Sequence, residues 1–181
     1  MNAADAAQLT LPVSPRDHQF GPRDAAVTVV EYGDYECPYC AQAHLVVKDL
    51  ADRLGDAWRF VFRNFPLTTL HPHAQHAAEA AEAAGAQGLF WEMHDYLFLH
   101  QNSLSDRDLV RDASLLGVEE QQFVDDLRDH KFAGRVREDF LSGARSGVNG
   151  TPTFFINGVR YDGPVESGSI LAAIELASAN G

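Results

Sequence analysis

The chain has 181 residues, 45% hydrophobic and 22% charged, which suits one globular domain, or one carrying a large insertion, with enough apolar residues to bury a core. Its formal net charge of -12 argues against nucleic acid as a partner, because phosphate neutralisation needs clustered cations, and it disfavours an anionic membrane surface. No stretch approaches the roughly 18 uninterrupted apolar residues of a spanning helix, and the two cysteines are too few for a structural disulfide framework.

Residues 1–16, with Pro12 and Pro15, read as a flexible N-terminal arm. The segment from Met1 to Ser14 has no basic start and no apolar h-region of about 7–15 residues. A cytoplasmic location is therefore expected, or a periplasmic one if a leader has been removed. Val27 to Tyr32 is a short β-rich run bounded by Pro22 and Gly33. Pro38 suits a first helical position, where its missing N–H costs nothing. Ala43, Val46, Val47, Leu50 and Leu54 then repeat at helical spacing until Gly55. Trp58 to Arg63 alternates as a second strand.

A long helical region follows. His73 to Ala84 is Ala-rich, and Leu89 to Gln101 carries Phe90, Trp91, Met93, Tyr96, Leu97 and Phe98, a pattern that reads as helix core rather than a substrate groove. Ser105 with Asp108 makes a capping-box-like start, and Glu119 to Leu127 and Phe132 to Leu141 are helical in pattern. His71, His73 and His76 read as solvated residues at a helix N-terminus rather than a metal site. Thr153 to Ile156, an Asn157-Gly158 turn and Val159 to Tyr161 form a hairpin signal, and Ser167 to Ala179 a closing helix. The first strand–helix–strand can form a right-handed parallel unit, with the hairpin extending the sheet antiparallel and helices on both faces, an α/β arrangement.

The chemistry concentrates at Cys37-Pro38-Tyr39-Cys40. A bridge between residues three apart closes so small a loop that it constrains the unfolded chain little, so the pair reads as chemical rather than structural. At the start of a helix, unpaired N–H groups and the peptide dipoles stabilise a thiolate on the first sulfur. Cys37 would then attack a disulfide, or leave from one, while Cys40, nearer the core, resolves the mixed disulfide. Asp34 and Glu36 are close in sequence and are expected to oppose the second anion, leaving the Cys37 pKa below that of a free thiol but not at the extreme low end. A zinc half-site is the main alternative, but structural zinc wants four Cys or His ligands and no second Cys-x-x-Cys exists.

The segment from Val27 to Leu54 resembles the thioredoxin superfamily, and the chain from about Phe20 onward resembles its DsbA-like branch, with FrnE-like members a plausible nearer relation. The resemblance rests on Cys37-Pro38-Tyr39-Cys40, on Glu31 six residues before Cys37, and on Gly150-Thr151-Pro152-Thr153 before a strand. It implies a thioredoxin-like α/β fold, with residues 17–66 and 147–181 as core and 67–146 as a large helical insertion. It implies a protein disulfide oxidoreductase in which Glu31 moves protons for Cys40, and Tyr39, Thr151 and Pro152 contact substrate, with a cis bond before Pro152. A trans proline on an edge strand and a solvent-facing Glu31 are the alternatives. No dissociable cofactor or metal is implied; partners would be protein thiols or disulfides, with glutathione or another thiol for recycling. The strongly oxidising members carry His between the cysteines, where this chain has Pro38 and Tyr39, so extreme oxidising power is not expected. A glutathione-linked reductase or isomerase of related fold, and a holdase or metal-binding module, are the rival functions.

Overall fold

The structure is a computed structural model that describes residues 7–179. Its five strands are β1 (His18–Phe20), β2 (Val27–Gly33), β3 (Trp58–Asn64), β4 (Thr153–Ile156) and β5 (Val159–Tyr161). They form one mixed sheet in the order β1-β3-β2-β4-β5. β2 and β3 pair in parallel, as expected for a crossover through a helix, and the remaining pairs are antiparallel. The crossover is α1 (Pro38–Leu54). Between β3 and β4 lie α2 (Ala74–Gly85), α3 (Phe90–Leu99), α4 (Asp106–Leu115), α5 (Glu120–Arg128) and α6 (Ala133–Arg145), and α7 (Ser167–Ala179) follows the hairpin. The α/β class and the helical insertion are thus as the sequence implies. None of the described helices is long and apolar enough to cross a membrane.

Strand periodicity divides the core in two. Val27 and Val29 of β2, with Trp58, Phe60 and Phe62 of β3, face the larger core, which α1, α2, α3 and α7 complete. Val30, Tyr32, Val61 and Phe155 face a smaller core with Phe65 and Val148. Because successive side chains alternate, Glu31 falls on the Val27 and Val29 face, toward α1. The insertion packs around α2, whose alanines from Ala74 to Ala84 are all buried; side chains this small let neighbouring helices approach closely. Phe90, Met93, Leu97 and Phe98 are buried in the larger core, in line with a core reading of that run. The hairpin turn has positive φ at both Asn157 and Gly158, the geometry that Asn-Gly favours. The Ser105 hydroxyl accepts from the Asp108 N–H at the start of α4, as the capping pattern implies.

Two features depart from the sequence expectation. β1 is three residues long, too short to show an alternating pattern. The flexible arm expected over residues 1–16 is also corrected: residues 1–6 lie outside the described residues, and residues 7–16 are tied to the body. Leu9 N–H donates to Gly158 O at 2.8 Å, and Arg160 N–H to Ala7 O at 2.9 Å. Leu9 and Val13 pack on the smaller core. α6 reaches that face through Phe140, and the arm adds Leu9 and Val13.

Arg63 pins the arm. Its guanidinium is fully buried and donates to Asp17 Oδ1 at 2.8 Å, to the Leu11 carbonyl at 2.9 Å and to Tyr32 Oη at 2.9 Å. Burial works to raise the Asp17 carboxyl, but Arg63 brings it below its usual range. Removing one partner of such a pair strands a buried charge. Arg63→Leu is therefore expected to destabilise the fold by about 3–5 kcal/mol in urea unfolding. The double variant Arg63→Leu/Asp17→Ala should recover much of that loss; a double variant as unstable as the single one would refute a charge-pair origin.

Candidate active site

Cys37 occupies the N-cap of α1 with Pro38 beside it, and no side chain caps the helix there. The first N–H groups of α1 are thus left for the sulfur. Cys37 is 4% exposed and Cys40 fully buried. The order of exposure matches the sequence reading, although the first sulfur is more enclosed than that reading supposed. The Cys37 thiol lies 3.4 Å from the Thr151 carbonyl, and the Thr151–Pro152 peptide bond is cis. Tyr39 is 66% exposed and stands at the surface next to the pair.

The two thiols are driven apart in acidity. Cys37 is lowered to about 5, first by a hydrogen bond from Cys40; burial opposes this, and Thr151 and the N–H groups of Cys40 and Tyr39 add to it. That lies inside the range of roughly 3.5–7.5 for activated thiols. Cys40 is raised well above an ordinary thiol by burial, by its bond to Cys37 and by the charges of Glu31 and Cys37. Its sulfur accepts the Asp34 N–H at 3.4 Å. At neutral pH the pair holds one anion, on Cys37.

Glu31 is buried, and one of its carboxylate oxygens has no hydrogen-bond partner among the described residues. Burial first, and then the Cys37 charge, push its carboxyl up to about 8. It is therefore an acid, not a carboxylate, at pH 7. β2 places it under the start of α1 because β2 runs directly into the loop that carries the cysteines.

At about 5, Cys37 lies below a free thiol but not at the extreme low end, as the sequence implies. Asp34 is buried and turned away: Oδ2 accepts from the Leu67 N–H and faces His71 Nδ1, both at 2.8 Å, and Oδ1 accepts from the Glu36 N–H at 2.8 Å. Burial alone would lower His71, but Asp34 outweighs it and His71 is raised. The Glu36 carboxylate accepts the His73 N–H at 2.7 Å. Both carboxylates are thus engaged by other groups of the loop and the insertion. His71, His73 and His76 are each paired with an acid rather than simply solvated.

Sequence reasoning missed Gln101, whose amide donates to the carbonyls of both Tyr35 and Cys37 at 2.8 Å. A lone Gln in a loop 64 residues from Cys37 carries no local signal. It also missed the bond between Tyr35 Oη and His94 Nδ1, at 3.0 Å.

Two measurements test this electrostatic arrangement. Thiolate absorbance of the reduced protein should titrate with a midpoint near 5 for Cys37, and Cys40→Ala should raise that midpoint by removing the leading donor; an unmoved midpoint would show the helix end to be sufficient. For Glu31 the folded pKa lies above its unfolded value, so its stabilising contribution is present in full below about pH 4.5 and is lost as pH rises through 8. Glu31→Gln should therefore gain on the order of 5 kcal/mol over the wild type at pH 9, and little at pH 4, in urea unfolding at the two pH values. Equal gains at both would contradict a buried, protonated Glu31.

The thioredoxin family model matches residues 13–176. Na(+)/H(+) antiporter NhaA 3 of Salinispora tropica is 50% identical over 173 residues, which cover 95% of this chain but 26% of the relative. An NhaA antiporter of Herminiimonas arsenicoxydans is 42% identical over 165 residues, 91% of this chain and 26% of the relative. The chain thus spans about a quarter of the length of the curated relatives it matches, and their name belongs to the whole of those longer proteins. Among solved structures, a thioredoxin-like oxidoreductase from Silicibacter pomeroyi superposes with a TM-score of 0.81 at 29% identity, covering 92% of this chain and 94% of that one. BdbD from Bacillus subtilis gives a TM-score of 0.80 at 24% identity, covering 96% and 97%. α-DsbA1 from Wolbachia pipientis gives 0.80 at 22% identity, covering 95% of each. With the cysteine pair at the head of α1, the cis bond before Pro152 and this match along almost its whole length, the chain belongs to the thioredoxin family and has the fold of its DsbA-like members.

Proposed function

We propose that the protein is a thiol–disulfide oxidoreductase that exchanges disulfides with protein thiols through Cys37-Pro38-Tyr39-Cys40. The observation that carries the reading is geometric: Cys37 stands at the uncapped N-terminus of α1, its thiol 3.4 Å from the Thr151 carbonyl beside the cis Pro152 bond, with Cys40 buried one turn in; this environment lowers Cys37 to about 5 and raises Cys40. A low-pKa thiolate is a good leaving group, and a buried high-pKa thiol takes up a proton readily.

In the oxidising direction, a substrate thiolate attacks Sγ of Cys37 in the Cys37–Cys40 disulfide. The new bond joins substrate to Cys37, and Cys40 departs with the electron pair. Glu31, protonated at neutral pH, is the proton donor to Cys40. A second substrate thiolate then attacks the substrate sulfur, and Cys37 leaves as its stabilised anion. The substrate has gained a disulfide and the enzyme is a dithiol; glutathione disulfide or another disulfide partner then takes two electrons and two protons from Cys37 and Cys40, becoming two thiols and restoring the Cys37–Cys40 disulfide. Thr151 and Pro152 offer backbone for an extended substrate segment, and Tyr39, exposed beside Cys37, offers an apolar contact. The thioredoxin-like oxidoreductase from Silicibacter pomeroyi supports the redox chemistry, and the exposed ring of Tyr39 next to Cys37 suits a protein substrate.

Stabilising the Cys37 thiolate favours the dithiol over the disulfide. The reduction potential is accordingly expected between those of thioredoxin and DsbA, about -270 and -120 mV. Equilibration of the purified protein with glutathione buffers measures it. Oxidation of a reduced, unfolded protein substrate should fall at least about a hundredfold in Cys37→Ser, while trapping of a mixed disulfide should rise in Cys40→Ser. A Cys37→Ser variant that still oxidises substrate, or catalysis that consumes glutathione in place of protein thiols, would reject this reading in favour of a glutathione-linked enzyme.

A further inference from the structure

Behind the active-site helix lies a cavity of about 260 Å³ that the disulfide chemistry does not use. It is lined by Phe20, Phe60 and Trp91 on its apolar side and by His44, His94 and Asp95 on the other. We infer that His44, His94 and Asp95 hold one divalent cation of the zinc type, with the cavity supplying the fourth ligand position.

The first observation is the cluster itself. One donor atom from each residue lies within 4.8 Å of the other two, and His44 Nε2 is 3.7 Å from Asp95 Oδ1. Tetrahedral zinc with bonds of about 2.0–2.1 Å spaces its ligand atoms roughly 3.4 Å apart. Closing from the observed spacing takes roughly 1 Å of side-chain movement, and Asp95, 35% exposed, sits where it can supply it.

The second observation is an unsatisfied ring. His44 is 4% exposed, and its Nδ1 is buried with no partner among the described residues. A neutral imidazole carries a proton on one nitrogen and a lone pair on the other. With the proton on Nε2, the Nδ1 lone pair has no donor; with the proton on Nδ1, the Nε2 lone pair faces a carboxylate oxygen. In the second tautomer a cation between Nε2 and Asp95 Oδ1 relieves the contact of two lone pairs.

The surroundings suit ligation. His94 is buried and its Nδ1 is taken by Tyr35 Oη at 3.0 Å, which leaves Nε2 for a metal and supplies the outer partner that metal-bound histidines use. Lys48 donates to Asp95 Oδ2 at 2.8 Å, so Oδ1 is the oxygen free to ligate. Two imidazoles with one carboxylate favour zinc over calcium or magnesium, which prefer all-oxygen sites. A bound ion would join α1 to α3. It would sit one helical turn from Cys40 and one hydrogen bond from Tyr35, whose carbonyl Gln101 holds beside that of Cys37.

The test uses the full chain with Cys37 and Cys40 oxidised, so that thiolates do not compete for metal. Zinc chloride titrated calorimetrically should bind once with micromolar affinity, and cobalt(II) in its place should give the visible ligand-field band of a four-coordinate site. His44→Ala and Asp95→Asn should each weaken binding at least tenfold, and zinc should raise the melting temperature of the wild type but not of Asp95→Asn. Asp95 is partly exposed, so that variant retains its fold even where a histidine variant does not. His76→Ala, outside the site, should bind zinc as the wild type does. No saturable binding up to millimolar zinc, binding unchanged in Asp95→Asn, or binding lost in His76→Ala would each overturn the inference. None of these readouts depends on disulfide exchange.

Discussion

The open N-terminal end of α1 is the constraint on which the site depends. A helix that began with a Ser or Asp cap would spend its first N–H groups on that side chain. Here Cys37 stands in the cap position with Pro38 behind it, and the uncapped N–H groups of Tyr39 and Cys40 act on the sulfur. The same helix carries Cys40 one turn in, where burial holds its proton. One short segment thus produces opposite acidities in two chemically identical side chains: the Cys40 thiol, Thr151 and the peptide ends all stabilise the anion on Cys37, while burial keeps the proton on Cys40.

That arrangement needs the rest of the fold to hold it still. Gln101 binds the carbonyls of Tyr35 and Cys37 from the far side of the insertion. Asp34 ties the same loop to Leu67 and His71. The insertion is therefore more than a cover for the sheet: it supplies polar groups that fix the loop ahead of α1. On the opposite face, Arg63 and the arm do comparable work, as a buried guanidinium gathers Asp17 and the Leu11 carbonyl over the smaller core.

Glu31 shows how strand geometry sets chemistry. Alternation along β2 turns Glu31 to the α1 side, among valines and aromatics, and there its carboxyl is pushed up to about 8. One position earlier or later the same residue would face the smaller core, beside Arg63 and Tyr32, and no proton would be held beneath the cysteines. Gly33, two residues on, has no room for a side chain: a Cβ there would come within 2.4 Å of the Phe62 ring and 3.3 Å of Glu31. β2 and β3 can close over the carboxyl only because that position is bare.

Much of this protein is legible locally. The Cys-Pro-Tyr-Cys motif between a strand and an amphipathic run, the Asn-Gly hairpin and the helix starts all express interactions among residues a few positions apart, and the sequence alone determines them. Partners brought from elsewhere in the chain were decided by tertiary structure alone. These are the arm laid on the back face, Asp34 turned toward His71, Gln101 on the Cys37 loop, and His44 facing His94 and Asp95. The reason is physical: a periodicity reports which side of an element is buried, but a hydrogen bond or charge pair across tens of residues exists only once the elements have packed, and nothing in either local segment announces the other.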